Sequence, residues 1–145
     1  MKSNDFRIIK LKERVKKYGE VFTPPNVVNH MLDLLQETNE DDCFLPDKTF
    51  LEPSCGTEAF ILEVLKRKFE HCKTHKDFET AISSVYGFEI QKDNVEECID
   101  NVITLCKEYF KVTKNDEEII KNHIILCDGL KVMRMINDFN ERESR

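Results

Sequence analysis

The 145-residue chain has four glycines, four prolines and no tryptophan, and it carries no apolar run approaching the roughly 18 residues needed to span a bilayer. The missing run excludes an integral helical membrane protein. With so few glycines, the G-x-G-x-x-G turn on which a dinucleotide pyrophosphate rests is absent as well. Residues 55–60, at the first strand-to-helix turn, read Cys-Gly-Thr-Glu-Ala-Phe with a single glycine, so a nicotinamide dinucleotide fits poorly. Net positive charge is also lacking. A formal charge of -6 and a pI near 5.3 exclude a chain that coats nucleic acid through its overall charge, although local patches remain open.

Six cysteines (Cys43, Cys55, Cys72, Cys98, Cys106, Cys127) sit mostly inside apolar helical or strand patterns, with no secretory leader before them. The expectation is free thiols and a cytoplasmic protein. Length and a 40% apolar content suit one modest domain. The first 17 residues stand apart: Lys2, Arg7, Lys10, Lys12, Arg14, Lys16 and Lys17 against Asp5 and Glu13 give +5, leaving -11 for the remainder. Residues 1–18 are expected to form a basic amphipathic helix with Ile8, Leu11 and Val15 on its buried side, and residues 19–145 to form the domain proper.

Along the domain, Thr23 is placed as the N-cap of a helix beginning at Pro24, with Val27, Val28, Met31, Leu34 and Leu35 on its apolar face. A polar loop over Glu37–Lys48 leads to a short strand at Thr49–Glu52, then a helix over Ala59–Phe69 with apolar residues at helical spacing. A second strand (84–90) precedes a helix that Asp93 and Glu96 are expected to box, and a third strand (123–127) ends at Asp128-Gly129. Residues 137–145 read as a frayed polar tail. Strands alternating with long helical patterns imply the α/β class, with about three parallel strands flanked by helices and an N-terminal helical segment.

All three strands end in an acid: Glu52, Glu89 and Asp128. In an open parallel sheet ligands bind beyond the carboxyl ends of the strands, so the three acids are candidates to line one crevice. Each suits a nucleoside with a charged amino-acid tail. Glu52 can accept from an ammonium group, Glu89 from two ribose hydroxyls and Asp128 from an exocyclic adenine amine. Gly56 lets the backbone approach closely, and the following helix N-terminus favours a carboxylate. The ligand these residues suit best is S-adenosylmethionine.

Four segments, "GEVFTPPNVVNHMLDLL", "FLEPSCGTEAF", "VYGFEI" and "IILCDGL", resemble in order and spacing the cofactor motifs of the adenine-specific (N6) DNA methyltransferases, over about Gly19–Leu130. The resemblance implies a partial Rossmann-like methyltransferase fold and methyl transfer from S-adenosylmethionine to adenine N6 in a restriction-modification or phage modification system. It places Thr23 on the methionine carboxylate, Glu52 with Ser54, Cys55 and Gly56 around the methionine portion, Glu89 on the ribose, and Asp128 on the adenine amine. Ile90 and Gly129 would lie against the adenine ring. Two features depart from the family. Glu58 stands where glycine is usual, with an expected cost in cofactor affinity. The Asn-Pro-Pro-aromatic catalytic motif is also missing, since the prolines are Pro24, Pro25, Pro46 and Pro53; no catalytic residue is assigned.

These readings imply a chain inactive alone, reaching DNA through a complete or complemented enzyme, and pairing through an exposed sheet edge with a second polypeptide or with itself. The alternative is a non-catalytic relic or regulatory subunit with the same fold. His71 and His75 are read as an exposed i, i+4 pair on one helix, without a metal. Cys55, Phe60 and Phe88 are read as packing residues.

Overall fold

A computed structural model describes residues 23–56 and 58–144. Among these residues it contains six helices and a three-stranded sheet: α1 (Pro25–Glu37), β1 (Phe50–Glu52), α2 (Ala59–Phe69), α3 (His75–Ser83), β2 (Val85–Glu89), α4 (Lys92–Tyr109), α5 (Lys114–His123), β3 (Ile124–Leu126) and α6 (Gly129–Glu143). The expected basic helix at 1–18 lies outside the described residues. All strand pairs are parallel in the order β1-β2-β3, with Glu52 level with Gly87 and Glu89 level with Leu126. The chain is therefore α/β, as the alternating pattern implies.

Side chains alternate along a strand, so Val85, Gly87 and Glu89 share one face of β2, and all three are buried. Gly87 has a packing reason: a Cβ there would come 2.5 Å from Ile61 Cδ1 of α2 and 3.3 Å from the Cys55 sulfur. The core combines Ile61, Val64 and Leu65 of α2 with Phe78 and Ile82 of α3, and Cys98, Val102 and Cys106 of α4. Phe60 packs partly buried against it. Phe78 anchors an aromatic group, stacked on Phe110 at 4.7 Å and tilted against Phe69 at 5.5 Å. All six cysteines are free thiols.

Several local expectations need correction. Thr23 does not cap α1. Pro24 occupies the N-cap without a side-chain cap bond, its carbonyl accepting from the Val27 and Val28 N–H groups, and Pro25 takes the first helical position. A proline at that position has no N–H left to satisfy, so less capping is needed. Nor do Asp93 and Glu96 box α4. That helix starts from Gln91 without a side-chain cap bond, and the Asp93 carboxylate accepts from Asn94 N–H.

True capping boxes stand where none was expected, at Thr74/Asp77 of α3 and Thr113/Asp116 of α5. They start two short helices that split each strand-to-strand connection in two. His71 and His75 are consequently not on one helix: α2 ends at Phe69 and α3 starts at His75. The chain from Asn137 to Glu143 is not frayed but is the outer half of α6, which Asp128 caps.

The loop after α1 is less polar inside than its sequence. Phe44 is buried, and Lys68 of α2 is wholly enclosed with its ammonium donating to the carbonyls of Leu45 (2.8 Å), Pro46 (3.4 Å) and Lys48 (2.5 Å). Burial depresses its pKa to about 8.

Candidate cofactor site at the strand ends

The three strand-end turns converge. Cys55 N–H donates to the Phe88 carbonyl at 2.9 Å, which ties the turn after β1 to the end of β2. Cys127 N–H donates to the Glu89 carbonyl at 3.0 Å, which ties the turn after β3 to the same strand. Gly129 closes the third side: a Cβ there would collide with the Pro53 carbonyl oxygen and come 2.8 Å from Phe88 Cβ. The turns carrying Glu52, Glu89 and Asp128 thus pack against one another at one end of the sheet. The resemblance assigned Gly129 to the adenine ring; its small size already has a reason in this backbone contact.

Within the cluster each acid is held differently. Glu52 accepts from Ser54 N–H at 3.1 Å, but burial outweighs that bond and raises its pKa above the ordinary carboxylate value. A carboxylate paying desolvation is suited to a cationic partner. Glu89 is buried, its Oε2 accepting from Gly56 N–H at 2.7 Å and its Oε1 from Gln91 N–H at 3.1 Å. Gly56 has φ 55°, a left-handed backbone that glycine adopts readily and that turns its N–H toward Glu89. Asp128 is exposed and accepts from Lys131 N–H at 3.1 Å as the N-cap of α6. Ile90 and Leu130, just beyond β2 and β3, are exposed apolar side chains.

Cys55 is buried beside Cys98 of α4, and their thiol hydrogen bond, followed by burial, pushes the Cys98 pKa up. Burial also lifts Cys72 to about 11 and Cys106 to about 12, so these thiols stay protonated and are not primed as nucleophiles.

Glu58 takes φ 79°, a left-handed conformation that costs a side chain free energy and that glycine would adopt freely. Its side chain is nevertheless buried, and Oε1 accepts from Asn101 Nδ2 of α4 at 2.7 Å. The charge is thereby directed to a partner on α4. Sequence reasoning missed Asn101 because no spacing along the chain links position 101 to position 58. Ser54 lies exposed on the same turn, and Thr23 is half-buried immediately before the Pro24 cap.

The sequence profile of the N-6 DNA Methylase family matches residues 8–125, most of the chain. The chain belongs to that family. It is also similar to the Type II methyltransferase M.VspI of Vibrio sp. (strain 343), with 29% identity over 90 residues. That alignment covers 62% of this chain and 18% of the relative, so the chain spans under a fifth of its length. No solved structure matches. None of the six described helices is long and apolar enough to cross a membrane.

Proposed function

We propose that this chain is the S-adenosylmethionine-binding part of an adenine-specific DNA methyltransferase of the restriction-modification type. The observation that carries the reading is the convergence of Glu52, the Ser54–Gly56 turn, Glu89 and Asp128 at the carboxyl ends of three adjacent parallel strands, in a chain of the N-6 DNA Methylase family. The donor set fits the cofactor: a desolvated carboxylate for an ammonium, a backbone turn with left-handed glycine for close approach, and an acid at the second strand for ribose hydroxyls. Bound there, S-adenosylmethionine supplies an electrophilic methyl group for adenine N6.

On this reading Glu52 orients the ammonium end, and Thr23 and the turn at the start of α2 receive the carboxylate end. Glu89 positions the ribose, Asp128 accepts from the adenine amine, and Ile90 with Leu130 shields the ring from water. The residues that bind the target base come from polypeptide outside these 145 residues. The edge of β1 that carries no further strand among the described residues is the place for it, bordered by an apolar groove of about 260 Å³ lined by Met31, Leu35, Phe50, Leu51, Phe60 and Tyr86.

One observation favours a second reading, a non-catalytic module. The Glu89 carboxylate is buried and each of its oxygens already accepts from a backbone N–H, Gly56 or Gln91, so the cofactor would have to share oxygens that the protein itself already uses. Calorimetric titration with S-adenosylmethionine separates the two. The first reading expects 1:1 binding, with Glu89→Ala weakening it by about tenfold or more for the lost hydrogen bonds while circular dichroism stays unchanged. If neither the natural chain nor Glu58→Gly binds at millimolar cofactor while both remain folded, the cofactor reading fails and the non-catalytic one stands.

A further inference from the structure

Away from the strand-end cluster, α3 and α5 bring together an imidazole and two carboxylates. His75 Nε2 lies 3.3 Å from Glu79 Oε1, one helical turn along α3, and 3.1 Å from Asp116 Oδ2 in the first turn of α5. One donor atom from each residue lies within 4.8 Å of the other two. Ligands about 2.1 Å from a tetrahedral zinc ion stand roughly 3.4 Å apart, so two of the three spacings already match, and a small rotation of the Glu79 side chain supplies the third.

A second observation is independent of that spacing. Asp116 is fully buried, and its Oδ2 already accepts from Thr113 N–H at 2.9 Å within the capping box. Its Oδ1 is also buried and has no hydrogen-bond partner among the described residues. A buried carboxylate with an unmet oxygen costs free energy unless a cation compensates it. A protonated His75 would supply one positive charge; a divalent cation held at Oδ2 supplies two to the same buried carboxylate.

We propose that His75, Glu79 and Asp116 form a zinc site that staples α3 to α5. One imidazole and two carboxylates are a borderline donor set suited to Zn²⁺, with a fourth position left to water. The ion ties together two helices that lie in different crossovers, one between β1 and β2 and the other between β2 and β3. Its role is structural and independent of cofactor binding.

The test uses the chain stripped with chelator and titrated with zinc chloride, followed by calorimetry and thermal melting. The expected result is one ion per chain and a melting temperature that keeps rising with zinc above the dissociation constant. His75→Ala and Glu79→Gln should each weaken binding by about tenfold or more, in line with losing one ligand of three, while Cys72→Ser leaves it unchanged. Glu79→Gln lies outside both capping boxes, so it decides the matter if His75→Ala fails to fold. Cobalt in place of zinc should give ligand-field bands without a thiolate charge-transfer band. A melting temperature insensitive to zinc, binding that survives Glu79→Gln, or a thiolate band would overturn the proposal, leaving a plain ion pair or a cysteine site.

Discussion

Glu58 offers a direct test of how the turn after β1 is held. Replacing it with glycine relieves a left-handed side-chain conformation worth roughly 1–2 kcal/mol. The same change deletes the 2.7 Å bond from Asn101 Nδ2, a charge-assisted contact worth about 1.5–3 kcal/mol. The freer unfolded chain costs a further 0.5–1 kcal/mol or so. The terms leave Glu58→Gly destabilised by only about 1.5 kcal/mol. Asn101→Ala has no compensating relief and leaves a buried carboxylate without that donor, so it should cost about 2–3 kcal/mol. Urea denaturation of the natural chain, both single variants and the double variant provides the cycle. The double variant should be hardly less stable than Glu58→Gly alone. Additive losses would refute the argument, because they would mean that Glu58 and Asn101 are not coupled. S-adenosylmethionine affinity supplies a second readout: with the carboxylate turned to Asn101, Glu58→Gly should change it by less than about tenfold, or 1.4 kcal/mol.

Gly129→Ala should destabilise by about 1–3 kcal/mol in a urea titration, since the new methyl group meets the Pro53 carbonyl and Phe88 Cβ, both of them fixed backbone-linked atoms. Near-neutral stability would show that the strand-end turns are not in contact. Lys68→Met strips the donors from three loop carbonyls and should cost several kcal/mol near neutral pH, by roughly 1–3 kcal/mol for each carbonyl left dry. The Lys68 pKa falls from 10.5 to about 8 on folding, so between those values the unfolded chain binds more protons. The contribution of Lys68 therefore rises with pH across that window, by at most about 1.4 kcal/mol per unit, and the increase should vanish in Lys68→Met. Stability curves that stay parallel from pH 8 to 10 would show that Lys68 titrates normally.

The α/β class and strand order of appearance followed from local chemistry. Apolar runs of three to five residues, Pro24-Pro25 and the 3.6-residue spacing in Ala59–Phe69 and Lys92–Tyr109 are all contained within windows of one element. The three acids were visible for the same reason, Glu52 and Glu89 closing their strands and Asp128 following β3 by two residues. What failed were features that depend on competition between neighbouring signals. Asp93 and Glu96 have capping-box spacing, yet α4 begins at Lys92, one residue before Asp93, which puts Asp93 inside the helix. Thr74/Asp77 and Thr113/Asp116 have the same kind of spacing, and there the helices begin immediately after the threonines. Splitting each crossover into two helices then separated His71 from His75 and left His75 facing Asp116.

Residue order alone was enough to specify the three strands and the helices α1, α2 and α4, because side-chain periodicity and backbone stereochemistry act over a few residues, whereas α3, α5 and α6 were not anticipated. It was enough, too, to put an acid at the ends of β1 and β2 and just beyond β3. Packing had to settle the rest: that Gly129 abuts Pro53, that Glu58 faces Asn101, that Lys68 is sealed under a loop, and that His75 meets Asp116. Those pairs lie 20 to 76 positions apart along the chain. Only folding, which balances burial of apolar surface against the need to satisfy every buried charge, brings them into contact.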